Sequence, residues 1–124
     1  VFYHGRIGQD QLAEEQLKAS LWAYPTDFEE TNCITAIECQ AAGVPIVATN
    51  YAGLKTTVGN SGILVGSGQK GEPALREFRI AFVEKCIEIL RNRELWQEWS
   101  NKSLENAKKF EWSNIAKQWV DKIL

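Results

Sequence analysis

A chain of 124 residues with 44% hydrophobic residues is one domain's worth of protein, with enough apolar content to bury a real core. Its formal net charge of −2 argues against a nucleic-acid backbone or an anionic membrane surface as the main partner. Lys102, Lys108, Lys109, Lys117 and Lys122 dot the C-terminal segments as a solvated face rather than a basic block. The cysteines, Cys33, Cys39 and Cys86, are odd in number and lack Cys-x-x-Cys spacing. With only His4 as a nitrogen ligand, no metal site is expected, and free thiols point to a reducing cytoplasm. No stretch has the length of a membrane span, and no signal peptide opens the chain. Without a methionine, and starting inside an apolar run, the chain reads as a piece of something larger.

In chain order, Val1–His4 reads as a short strand ending at the turn Gly5–Gly8. Asp10 can cap a helix to about Ser20, with Leu12, Ala13 and Leu17 on one face. Leu21–Tyr24 is a second strand, cut by Pro25 and followed by the acidic loop Thr26–Asn32. A helix is predicted from about Cys33 to Ala42, stopping at Gly43. Pro45–Thr49 has the β-branched run of a buried parallel strand, Asn50–Gly53 is a turn, and Gly62–Val65 is a fourth strand. From there the period becomes helical: Ile80, Val83, Ile87 and Leu90, with Phe82, Cys86 and Ile89 beside them. Further helices follow at Leu95–Ala107 and Trp112–Ile123. Strands alternating with helices predict an α/β fold. It would be a partial Rossmann-like, doubly wound parallel sheet of about four strands with a C-terminal helical cap, forming a single unit over residues 1–124.

Glu30 and Glu38 bracket the predicted helix start, with seven residues between them. The free N–H groups around Cys33, Ile34 and Thr35 make an anion site, reinforced by a helix dipole worth roughly 0.3–1 kcal/mol. Carboxylates beside a phosphate repel it unless they address neutral hydroxyls, and sugar hydroxyls are good donors to such acceptors. The plain alternative is that both glutamates are surface residues of a capped helix. Their place between two strand ends favours the ligand, because open α/β sheets bind there.

Other features carry less. Gly66-Ser67-Gly68-Gln69-Lys70-Gly71 spells the dinucleotide spacing, but a second strand with an acidic end does not follow, so it reads as a flexible loop. Glu72-Pro73 after Gly71 also excludes a P-loop. His4 reads as structural, and the five tryptophans as core and helix-packing anchors.

The ordered run Pro25-Thr26, Glu30, Glu38, Ala42-Gly43-Val44-Pro45-Ile46-Val47-Ala48-Thr49, Gly53-Leu54 resembles the signature of retaining GT-B glycosyltransferases of the group 1, or family 4, type. Phe2–Gly5, Leu12–Ala23, Gly62–Val65, and Phe110-Glu111-Trp112 with Ala116 and Trp119, extend the likeness over most of the chain. The resemblance implies the donor-binding part of an enzyme that moves a hexose from a nucleotide diphosphate sugar to a sugar or lipid-linked acceptor. Glu30 then matches the catalytic-site glutamate beside the transferred sugar, and Glu38 the one that binds ribose. The backbone of Asn32, Cys33, Ile34 and Thr35 matches the diphosphate-binding helix start, and Arg6 and Ile7 the turn that meets the nucleobase. No separate cofactor and no metal are implied, and the location is cytoplasmic, peripheral at the membrane at most.

Two departures stand out. Thr31-Asn32-Cys33 replaces the usual Gly-Phe-Gly, and Lys55-Thr56 the usual Pro-Glu. The acceptor-binding N-terminal domain, and the basic pair that neutralises the diphosphate, have no counterpart here. Val1–His4 would be an outer strand without its inner neighbours, expected to pair beside Leu21–Tyr24 or to recruit another chain to the open edge. A non-catalytic nucleotide-binding or interaction module on the same fold is the second reading. A sugar-nucleotide epimerase is a third that suits the glutamate spacing less well.

Overall fold

A computed structural model describes residues 1–123. Helix α1 (Gln9–Lys18) leads to strand β1 (Trp22–Tyr24), and α2 (Ile34–Ala41) to β2 (Ile46–Thr49). The short α3 (Leu54–Thr57) precedes β3 (Ile63–Val65). Three helices close the chain: α4 (Arg76–Arg91), α5 (Arg93–Ala107) and α6 (Trp112–Ile123).

The strands form one parallel sheet in the order β1-β2-β3, with Ala23 opposite Val47 and Ala48 opposite Leu64. The side chains of β2 are buried on both faces, as a central parallel strand requires. On one face Ile46 and Ala48 pack with Cys33, Ala36 and Cys39 of the α2 region and with Leu54 and Val58. On the other, Val47 and Val65 pack under Phe78, Phe82 and Ile89 of α4, with Trp96 and Trp99 of α5 beside them. None of the helices described is long and apolar enough to cross a membrane.

Helix α2 ends because Gly43 takes φ +74°, a conformation that a β-carbon disfavours. The Val44 amide then reaches back to the Cys39 carbonyl and the Gly43 amide to Gln40. Helix α5 is fastened to this turn: Ser100 Oγ donates to the Gly43 carbonyl at 2.6 Å and Ser103 Oγ to that of Val44 at 2.9 Å. Buried Gln40 ties α2 to α3 and α5, donating to the Ala36 and Thr57 carbonyls and accepting from Ser61 Oγ and Asn106 Nδ2. These bonds hold the amino-terminal end of β2, so the helical cap leaves the carboxyl ends of the strands to short loops.

Three expectations need correction. Val1–His4 forms no strand and pairs neither with β1 nor with anything else described; Val1, Phe2 and Tyr3 are exposed. A strand needs a hydrogen-bonded neighbour, and the chain supplies none between this segment and β1. Helix α1 begins at Gln9 with Gly8 as its N-cap, so Asp10 sits in the first turn rather than capping it. The helix expected from the spacing of Ile80, Val83, Ile87 and Leu90 is present as α4, with that series on its exposed side and Phe78, Phe82 and Ile89 facing the sheet. Trp112 and Trp119 are exposed, at 84% and 65%, and anchor no core.

Candidate functional site

All three strands end at the same edge because the sheet is parallel, so three connections meet there: Thr26–Cys33 after β1, Asn50–Gly53 after β2 and Gly66–Gly71 after β3. They are tied together. The Gly53 amide donates to the Glu30 carbonyl at 2.7 Å, and Thr57 Oγ1 lies 3.2 Å from Asn32 Oδ1. The Asn50 amide donates to the Val65 carbonyl at 2.7 Å, and its side-chain Nδ2 to that of Gly66 at 3.0 Å.

Glu30 leaves this loop half-buried, and the Tyr24 hydroxyl donates to its Oε1 at 2.9 Å. The Thr26 hydroxyl pulls the Tyr24 phenol down, but burial and the Glu30 carboxylate outweigh it and hold the phenol above its ordinary value. Tyr24 therefore stays protonated, and a donor, at neutral pH. Glu38 projects from the second turn of α2 toward α1, where Gln16 Nε2 donates to its Oε2 at 3.1 Å. Among the described residues, neither carboxylate pairs with a cation. Each is held instead by one neutral donor, Glu30 by Tyr24 of β1 and Glu38 by Gln16 of α1.

Between them lies Cys33, the N-cap of α2 and only 5% exposed. Burial pushes its thiol up; the amides of Ala36 and Thr35 oppose the shift, and the charges of Glu30 and Glu38 on either side add to it. Where a glycine was expected, the thiol turns into the core, and Ile34 and Thr35 stand exposed at the helix start. Glu30, Asn32–Thr35 and Glu38 thus form one cluster. Arg6 is exposed and Ile7 half-buried in the turn before α1, and neither shares a side-chain hydrogen bond with that cluster. His4 is exposed and approaches Glu15 at 3.9 Å.

The Gly66–Gly71 loop is not free. The carboxylate of Glu72 fills it, accepting from the Ser67 amide at 2.9–3.0 Å, the Ser67 hydroxyl at 2.8 Å and the Gln69 amide at 2.7 Å. The dinucleotide-like spacing encloses the chain's own anion. Lys55 reaches over the same loop, its Nζ lying against Gly68.

Sequence reasoning missed Gln16, Tyr24 and Gln40, and gave Gly53 only as part of a turn and of the Gly53-Leu54 pair, without its contact to Glu30. The Tyr-Pro strand end six residues before Glu30 was a usable signal for Tyr24. Nothing along the chain signals Gln16, which meets Glu38 only through the packing of α1 on α2. Among the described residues, no group of three or more His, Cys, Asp or Glu could hold a metal ion.

Residues 1–92 match the family described as glycosyl transferases group 1. The chain is 29% identical over 117 residues to a D-inositol 3-phosphate glycosyltransferase of Nocardioides sp., covering 93% of this chain and 23% of that protein. It is 30% identical over 123 residues to the like-named protein of Streptomyces griseus, covering 98% of this chain and 24% of the relative. An uncharacterised glycosyltransferase of Methanocaldococcus jannaschii is 30% identical over 112 residues, covering 90% of this chain and 30% of its own length. The chain therefore spans about a quarter of the length of such relatives. With that match running through the Glu30–Glu38 cluster, the chain belongs to the group 1 glycosyl transferases.

Proposed function

We propose that the chain is the donor-binding part of a retaining glycosyltransferase that moves a hexose from a nucleotide diphosphate sugar to a sugar or lipid-linked acceptor. The observation that carries this reading is the pair Glu30 and Glu38, oriented by neutral donors on either side of an exposed helix start, in a chain of this family. Glu30 would receive hydroxyls of the transferred sugar, and Glu38 those of the ribose. The amides of Asn32, Cys33, Ile34 and Thr35 would meet the diphosphate, and the Arg6–Ile7 turn the base.

The chemistry is electrostatic and positional. Amide dipoles aimed at the departing diphosphate stabilise the charge that develops as the glycosidic bond breaks. A carboxylate fixed on the sugar hydroxyls holds the oxocarbenium-like ring in line with the acceptor. Neither glutamate acts as a nucleophile here. The acceptor and the cations for the diphosphate would come from the rest of the longer protein. The open outer edge of β1 is where a further strand would pair, from that protein or from a second copy. The reading carries a cytoplasmic location, where nucleotide sugars are used.

Calorimetry of the full-length protein with UDP and GDP tests it. Binding of one of them, weakened by Glu38→Ala, is the expected result, with transfer lost in Glu30→Ala while nucleotide binding persists. Unchanged affinity in Glu38→Ala removes the ribose assignment.

A further inference from the structure

The groove between α1 and α2, about 330 Å³ in volume, is lined by Ala13, Gln16 and Leu17 on one side and by Glu38, Ala41 and Ala42 on the other. Gln9 adds a second amide to this lining, and the remaining walls are small or apolar apart from the Gln16–Glu38 pair. A carboxylate can only accept hydrogen bonds, so the contact at 3.1 Å fixes which end of the Gln16 amide faces it: Nε2 donates, and the amide oxygen is turned away. Among the described residues, that amide oxygen and Glu38 Oε1 have no other side-chain partner. The pair therefore leaves two acceptor oxygens, one charged and one neutral, on the two joined side chains of two different helices.

We propose that Gln16 is the positioning residue of the ribose site and its second acceptor, so that the Gln16–Glu38 pair takes a cis-diol rather than a single hydroxyl; this rests on the function proposed above. A glutamate on an open helix face samples several rotamers, and ordering such a long side chain costs conformational entropy. One neutral N–H holds the carboxylate in place without cancelling its charge, so its full strength stays available to the ligand. A lysine or arginine at this place would hold Glu38 more tightly but would compete with the diol for its oxygens. A ligand lacking one hydroxyl of the diol leaves one of the two acceptors unfilled, which makes the pair selective for ribose over 2′-deoxyribose.

The test compares UDP and GDP with their 2′-deoxy counterparts by calorimetry on the full-length protein, in wild type, Gln16→Ala and Glu38→Ala. Gln16 is half-buried on a surface helix and alanine favours helix, so Gln16→Ala folds. Loss of one oriented hydrogen bond predicts a roughly 3- to 10-fold weaker affinity for the ribonucleotide. The 2′-deoxy ligand should lose little, so the preference for ribose shrinks, and kcat at saturating donor stays within about twofold while KM rises. If Glu38→Ala abolishes the preference but Gln16→Ala leaves both affinity and preference intact, the inference about Gln16 is overturned and the ribose site stands. If Glu38→Ala changes nothing, the site reading fails and takes the inference with it.

Discussion

The backbone of Gly53 is pressed against that of Glu30: its amide donates to the Glu30 carbonyl at 2.7 Å, and a β-carbon at residue 53 would lie 2.5 Å from the same oxygen. The carbonyl of Thr31 would be closer still. The turn after β2 therefore sets the height of the acidic loop after β1. Gly53→Ala forces two backbone segments apart and is expected to cost about 1–3 kcal/mol, read as a lower urea midpoint at unchanged slope. The loss should come with a displaced Glu30, seen as a shifted Tyr24 hydroxyl environment in ultraviolet spectra. A fully stable Gly53→Ala protein would show that the loop is not held by this contact.

The buried amide of Gln40 offers a contrast between two substitutions. Ser61 donates also to the Val58 carbonyl, and Asn106 also to that of Thr57, so these partners survive its loss. Gln40→Leu is expected to cost only about 1–2 kcal/mol. Gln40→Glu keeps the shape but sets an acceptor against the Ala36 and Thr57 carbonyls that Nε2 now serves, and should cost about 3–5 kcal/mol. Chemical denaturation of the two variants side by side gives the order directly.

Alkaline pH should weaken the fold through Cys39. Burial, then the charge of Glu38 and the neighbouring Cys33, raises its thiol from an ordinary 9.0 to about 11. A group raised in the folded state contributes stability below its unfolded pKa and loses it as pH rises through the folded one. Stability is therefore expected to be flat to about pH 9 and to fall by roughly 2–3 kcal/mol as pH approaches and passes 11. Cys39→Val should flatten that slope. At neutral pH, Cys86, the half-buried thiol, should react first with iodoacetamide.

The opposite sign applies to Glu72. Hydrogen bonds from the Ser67 amide and hydroxyl, and then from the Gln69 amide, lower its carboxyl below the ordinary 4.5. The stabilisation is present above that value and lost as pH falls through the folded pKa. The amide resonances of Ser67 and Gln69 should titrate together with a midpoint below 4.5, and Glu72→Gln should abolish the titration. Amides that titrate near 4.5 or above would mean that the loop does not enclose the carboxylate.

The carboxylate cluster was legible in the sequence because its members fall within nine consecutive residues, where one helix start and two strand ends impose the geometry. β1, β2 and β3 were legible for a similar reason: Leu21–Tyr24, Pro45–Thr49 and Gly62–Val65 carry strand chemistry and each finds a neighbour. Val1–His4 carries the same chemistry and finds none, which alternation alone does not reveal. α4 carries two apolar stripes, Phe78/Phe82/Ile89 and Ile80/Val83/Ile87/Leu90, and periodicity cannot choose which one meets the sheet. Gln16, 22 residues from Glu38, became visible only once α1 lay against α2.

The Gln16–Glu38 contact also depends on angular phase. Each residue added to an α-helix turns the chain by about 100° and advances it by about 1.5 Å. One residue inserted between the α2 N-cap and Glu38 would swing the carboxylate about a quarter-turn around the helix, out of line with α1. Deleting one would swing it as far the other way. Substitutions along α2 can be absorbed singly by repacking, but a change of length there cannot, because Gln16 is clocked to a helix it does not belong to.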